Sequence, residues 1–525
     1  MKAKEIKAGN RLHLAGRCGA WLAAVLLAGT AYGNNIEVGN VSWHSVGGGM
    51  SDVQVDLTWE NSWRAAWTED TSTSATGAQI DLENWDAAWV FVKYRTPGGA
   101  WLHATLSTNK TDHTVPPGAT IDVGLTAGRL AGNGSTPGEG VGVFIYRDAV
   151  GNGIFDLKDV KLRWLHGADG VPHDLDLQVH AIEMVYVPEG AFRAGTGQKE
   201  SGSFKDGDTT GSFLIDATWS GPVAAETSAR RIGNAAGRLW GYTTDAGNNT
   251  IGPEGTLHDN YPTGYSAFYC MKYEITQGQY AAFLTASQYD AGWQNTTNNR
   301  YSITQSGTTG AFVYSASKPY VACNWLSWAD AAAYKAWAGL RPMTELEFEK
   351  ACRGVRAPVA GEYAWGSTAI TQATGIDNDG AADERALNSA ANAAYGKHDD
   401  VQGPLRAGVF ATATSDRAAA GASYWGIMQL SGNLWTRAVG VAANSSGNET
   451  NPRDFQGTHG TGSTELPVDW PQSNAIGAGR RGGGWLDASA HARASGRSYA
   501  AGVQAARTGN LGSRGVRSAP SGVGH

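Results

Sequence analysis

The sequence predicts an α+β protein in two parts: an all-β, sandwich-like domain, then an irregular α+β domain with few helices. Three observations predict it. Between about Asn35 and His180, short runs rich in β-branched and aromatic residues are separated by Gly, Pro, Asn and Asp clusters, with no helical period. Further on, three segments open with Ser or Thr followed three residues later by Gln, Asp or Glu, the mark of a capped helix start. Glycine is abundant, at 71 of 525 residues, while charged residues make up only 17%, a balance that implies many turns around compact cores.

In the first part, assigned to residues 34–180, DVQVDLTWE places Val53, Val55, Leu57 and Trp59 on one face of a strand. Residues 85–95, 140–147 and 160–165 form further strand-like runs. The segment NGIFDLKD (152–159) is acidic but lacks the spacing of a helix-loop-helix calcium site. The second part, assigned to residues 181–520, opens on the strand MVYVPEGAF, and a Gly-, Ser- and Thr-rich stretch at about 195–265 is expected to be a loop-rich insertion. Helices are then expected from Thr276 with Gln279, from Ser327 with Asp330 and a stop at Gly339, and from Thr344 with Glu347 and a stop at Gly354. The acids Glu345, Glu347 and Glu349 are read as complements to the helix dipole rather than as metal or acid–base groups.

At the N-terminus Lys2, Lys4, Lys7, Arg11 and Arg17 precede the apolar run AWLAAVLLA, and Ala31 and Gly33 supply small residues for cleavage. This is the pattern of a secretory signal peptide over residues 1–33, and the run is short for a membrane span. The mature chain is therefore expected to be secreted, periplasmic or at the cell surface, and not integral to a membrane. Cys270, Cys323 and Cys352 follow it with no CxxC pair, which argues against zinc and allows at most one internal disulfide of undetermined pairing. A net charge of −7 argues against nucleic acid as a partner, although the stretch 480–517 carries many arginines against one acid, Asp487.

In order along the chain stand MVYVPEGAF, FYCMKYEITQGQYAAF, NWLSWADAAAYKAWAGLRPMTELEFEKACRG, YAWG, LSGNLW, RRGGGW and GSRGVR. The series resembles the formylglycine-generating enzyme family, also called the sulfatase-modifying factor family, over about residues 182–519. The resemblance implies a C-type-lectin-like fold; activity has to be argued separately. Enzymes of this family oxidise a substrate cysteine with two of their own cysteines, which bind copper. Copper(I) takes soft thiolates, and the matching positions here hold Asp487 and Ala492. No copper is expected, no catalytic residue is assigned, and a divergent oxidase acting on protein cysteine is the alternative reading. Structural calcium is implied at a site resembling Asn392, the backbone of Ala393, Asp399 and the backbone of Val401, whose hard oxygens suit it. At the family's second calcium site, Gln429 and Thr436 stand where ligands including an acid are expected, which argues against a second ion. Sulfoxide synthases that share this domain need a histidine-rich iron site on a helical domain, which an all-β first part does not offer. Asp487 and His491 are close in sequence, but no third partner completes an acid–base pair.

The same domain is used by the variable proteins of diversity-generating retroelements, in which a hypermutated C-terminal segment displays a ligand-binding surface. The chain resembles them in LRPMTELEFEKACRG, GNLW, the WP of DWPQS and GSRGVRSAP, and departs at Ser513, where Phe is usual. The resemblance implies that Arg481, Trp485, Arg493, Arg497, Arg514 and Arg517 form a frame. The candidate ligand-binding residues are Trp485, Leu486, Asp487, Ser489, His491, Ser498, Tyr499, Val503, Gln504, Thr508, Asn510 and Leu511. The function expected is that of an exported ligand-binding or display protein whose segment 484–512 meets an unknown protein or surface ligand.

Overall fold

The computed structural model describes residues 36–125, 139–171, 175–221, 229–242, 250–412, 414–442, 451–520 and 523. The expected signal peptide lies outside the described residues. The chain is mostly sheet with few helices.

Seven longer strands open it, β1 (Glu37–Gly47), β2 (Met50–Glu69), β3 (Ile80–Arg95), β4 (Ala119–Leu125), β5 (Gly140–Arg147), β6 (Gly151–Trp164) and β7 (Asp176–Val187), with a two-residue strand, Leu102–His103, paired to β3. Along β2 the side chains Val53, Val55, Leu57 and Trp59 are buried while Gln54, Asp56 and Thr58 are half-exposed, the period-2 pattern of a strand with one buried face. The first half of β2 pairs with β1 and β6, and its second half pairs with β3 from Arg64↔Trp85 to Glu69↔Ile80. One long strand thus links two layers. Val53, Val55 and Leu57 of one layer pack against Val90, Val92, Val143, Ile145 and Val179 of the other. Each such side chain contributes about 1.5–3 kcal/mol on burial.

The sheet does not end with this unit. β7 pairs with β3 from Asp86 to Arg95 and, at its far end, with β8 (Phe268–Met271), which pairs in turn with a C-terminal strand, Val516–Ser518. The boundary expected at residue 180 therefore falls inside a strand. β3 is buried on both faces: Ala88, Val90 and Val92 face the first core, while Trp89 and Phe91 face a second core with Phe283, Tyr334 and Trp337. This explains why WDAAWVFVKY reads as one nearly continuous apolar run.

The helices begin where the capping signatures place them. The three longest are α1 (Gln277–Ser287), α2 (Trp328–Trp337) and α3 (Glu345–Arg353), preceded by a single helical turn, Ala217–Ser220. In each, the cap residue (Thr276, Ser327 or Thr344) accepts from the third backbone N–H, and the Gln, Asp or Glu there accepts from the cap's N–H. Gly339 follows α2 and Gly354 caps α3, both at φ +68°, a conformation that costs glycine nothing. The stretch expected to be loop-rich is more built than its composition suggests. Phe204–Asp206, Arg231–Ile232, Leu239–Gly241 and Gly255–Thr256 form a small sheet, and Phe204, Trp219 and Ile251 join a core with Trp328, Leu346 and Trp470.

Where the first unit meets the rest, Lys272 is fully enclosed. Its Nζ donates to Glu183 at 2.9 Å and Asp86 at 3.2 Å, and it lies 4.7 Å from the centre of the Trp63 ring. Asp86 also accepts from Trp59 Nε1, Ser62 Oγ and the Trp63 N–H. Burial works against the Lys272 charge, but Glu183 and then the other neighbours outweigh it and raise its pKa. Replacing Lys272 with Met leaves two buried carboxyls without their cation and is expected to cost about 3–5 kcal/mol, read by urea denaturation. Because one sheet runs through both parts, calorimetry on the full chain should show one unfolding transition rather than two.

Candidate functional site

The C-terminal segment rests on buried charge. All three acids of α3 are enclosed, at 1% exposed or less. Glu345 holds Arg497 in a fork at 2.6 and 2.9 Å and approaches Arg481 at 3.3 Å. Glu349 accepts from Arg481 at 2.8 Å, and Glu347 holds Arg341 at 2.6 and 2.8 Å while closing its capping box. The dipole account expected for these acids is thus too small. On a helix packed from all sides a carboxylate has no solvated face, and only a cation makes its burial tolerable.

The arginines expected as a frame behave as one, with one exception. Arg481 also donates to the carbonyls of Ala494 and Gly496, and Arg497 to that of Gly202, which anchors the insertion. Arg514 donates to Met271, Met428 and Gln429, and Arg517 to Gly339 and Leu125. Arg493 differs: it is half-exposed, whereas the other four are buried.

Over this frame the candidate ligand-binding residues separate into two groups. Trp485 and Leu511 are buried, at 3% and 0% exposed. Trp485 donates from Nε1 to the Gly509 carbonyl and packs with Leu434 and Val401, so these two support the face rather than present it. Their apolar bulk is worth more inside than at the surface. Leu486 and Val503 are exposed, and Asp487, Ser489, His491, Ser498, Tyr499, Gln504, Thr508 and Asn510 are half-exposed. Two residues outside the expected set complete the face. Trp435, buried beneath it, touches the rings of His491 (5.7 Å) and Tyr499 (5.4 Å) and donates to Asp487 at 2.7 Å. Arg480 lies 4.6 Å from the Tyr499 ring and 5.5 Å from that of Trp435, and burial lowers its pKa. Both sit in quoted motifs, GNLW and RRGGGW, so the signal was there; nothing in sequence spacing showed that they converge.

Asp487 and His491 do not form an acid–base pair. Asp487 Oδ2 accepts from Trp435 and from Asn510 at 3.0 Å, while the His491 ring lies against Trp435 and Tyr499 and its Nδ1 has no partner. The copper positions offer one carboxylate and, at Ala492, a methyl group. Cys270, Cys323 and Cys352 are free and buried elsewhere, so the residues present do not fit a thiolate copper site. At the calcium candidates, Asn392 Oδ1 accepts from the Thr371 N–H and the Ala393 carbonyl from the Ala373 N–H, while Asp399 is exposed. Among the described residues no group of three or more His, Cys, Asp or Glu is placed to hold a metal ion. Two of the four candidate donors thus already accept a hydrogen bond within the fold. Gln429 is likewise occupied, accepting from Gly408 and donating to Arg406.

This fold, with its arginine-framed C-terminal face, is that of a sulfatase-modifying-factor domain. Residues 240–519 match the family described as Sulfatase-modifying factor enzyme 1-like domain, and the chain belongs to that family. No curated protein matches it. Among solved structures, one titled Major Tropism Determinant U1 Variant aligns over 91% of this chain and 83% of its own, at 14% identity and a TM-score of 0.24. No helix among the described residues is long and apolar enough to cross a membrane.

Frame and face should respond differently to truncation. Arg497→Ala leaves Glu345 in the core with only the longer 3.3 Å approach of Arg481 and is expected to cost about 3 kcal/mol in urea denaturation. Tyr499→Ala, half-exposed, should cost about 1 kcal/mol or less. The frame also sets an acid limit. Burial alone would raise the Glu349 carboxyl, but Arg481 and then Arg353 outweigh it and hold it below the usual carboxylate range. Its stabilising contribution is therefore present above the unfolded carboxylate pKa and is lost as pH falls through the lower folded value. Melting temperatures measured across that window should fall with pH, and less steeply in Glu349→Gln.

Proposed function

We propose that this protein is an exported ligand-binding or display protein, and that segment 484–512 is its binding surface. The observation that carries this reading is the separation of roles within one segment. Arg481, Arg497 and Arg514 are buried and engaged, while ten of the twelve candidate residues between them stand exposed or half-exposed. Side chains in such positions change at little cost to the fold, and Tyr, His, Ser and Asn are adaptable contact residues. Diversification of the segment by a retroelement is the fuller form of the proposal. It predicts a reverse-transcriptase gene near this one and a near-copy of the segment differing at adenines; intact flanking DNA with neither removes diversification and leaves binding.

Family membership makes a cysteine oxidase the competing reading, and the donor set speaks against it. Purified protein incubated with copper and a cysteine-containing sulfatase peptide should take up no stoichiometric copper and form no aldehyde by mass spectrometry. Aldehyde formation would replace the binding reading with an enzymatic one. Structural calcium at Asn392, Ala393, Asp399 and Val401 is a separate proposal. It requires that calcium raise the melting temperature, that chelation reverse this, and that Asp399→Asn abolish it.

A further inference from the structure

A second cavity lies away from the C-terminal face, in the seam between β2 and the family domain. Its volume is about 760 Å³, within the range of small-molecule sites, roughly 300–1,000 Å³. Trp63 and Trp67 of β2 line one side, and Tyr424 and Trp425 line the other. The Trp67 ring lies 5.8 Å from that of Tyr424 and 6.1 Å from that of Trp425, both tilted. Gly426, at φ +84°, brings the second wall close; a Cβ there would stand 2.9 Å from the Trp63 ring.

Lining the same cavity is Arg417, a guanidinium in an unusual position. It lies 5.3 Å from the centre of the Tyr424 ring, donates from Nη2 to the Ala364 carbonyl at 2.7 Å, and leaves its buried Nε without a partner. Of the acids near it, Glu362 is committed to Arg353 and Glu69 to Arg356 and Tyr424; Asp416 and Glu60 also line the cavity, and Asp416 accepts from the Ala419 N–H. Lys272 in the floor is met by Glu183 and Asp86. Burial, and then the nearby Arg356, pull the Arg417 pKa down to about 10, as expected of a cation that lacks a counter-charge. The fully buried arginines of the domain meet carboxylates or several carbonyls; Arg417, half-buried as Arg480 and Arg493 are, makes one hydrogen bond among the described residues and is the one of these three that lines this cavity.

Much of the polar lining is already occupied. Asn84 is held between Trp63 and Tyr186, Ser423 accepts from Ile427, Ser415 is bonded to Thr412, and the Tyr424 hydroxyl accepts from Trp67 and donates to Glu69. A polyhydroxylated ligand would find few free partners here. A flat ring with one carboxylate needs only aromatic faces and a guanidinium, and both are present.

We propose that this seam is a binding site for a small aromatic carboxylic acid, its ring against Trp67 and Tyr424 and its carboxylate on Arg417. The proposal is independent of the C-terminal face. Isothermal titration of the exported chain with indole-3-acetate tests it, alongside the neutral indole-3-acetamide and glucuronate. Saturable binding of the acid at one site is expected, with the amide weaker by at least about tenfold. Arg417→Gln should reduce the acid to the level of the amide, while Tyr499→Ala on the other face should leave it unchanged. The comparison of acid with amide on the unaltered protein decides the matter if Arg417→Gln does not fold. No saturable binding, equal binding of acid and amide, or preferential binding of glucuronate would overturn the proposal.

Discussion

A cation taken out of water must be met by an acceptor, and most of this structure is arranged to satisfy that demand. Lys272 is enclosed with Asp86 and Glu183, Arg341 with Glu347, Arg353 with Glu349 and Glu362, and Arg481 and Arg497 with Glu345. Pairs of this kind add little net stability, because desolvation offsets most of the attraction. What they do is select one arrangement, since removing either partner strands the other. Glu345 joins a short helix to a tail more than a hundred residues away, and Arg497 carries that link on to the insertion through Gly202. The geometry of the C-terminal face follows from these pairings rather than from regular secondary structure.

The strand-built first unit is part of the same body. Its central strand presents Trp89 to the helices of the family domain and Val90 to its own core, so neither core is complete without it. The last strand of the chain returns to this sheet, and there Arg517 lies 4.5 Å from the Trp89 ring and donates to Leu125. The end of the candidate binding segment is thereby tied to the N-terminal unit.

Asp487 shows what a carboxylate does at a position where the family resemblance implies a cysteine. A soft thiolate at that place would serve a metal; a carboxylate instead accepts from Trp435 and Asn510 and fixes the floor of the face. The cysteines among the described residues, Cys270, Cys323 and Cys352, lie buried elsewhere.

Local features were legible in the sequence because their physics spans a few residues. Three capping boxes, the alternation along β2 and the stops at Gly339 and Gly354 all stand where the sequence places them. The family was legible from the order of its motifs, and most of the arginine frame from the same resemblance. Which candidate residues face outward was not: Trp485 and Leu511 turn inward, while Trp435 and Arg480 converge on His491 and Tyr499 from distant motifs. The partners of Glu345 and Glu349, the order inside the insertion and the sheet that runs through residue 180 were equally hidden. The sequence by itself determined the elements, their caps and the residue types available to a site. Tertiary structure alone decided which charges meet and which side chains remain exposed, because burial and pairing depend on segments that come together only when the chain is folded.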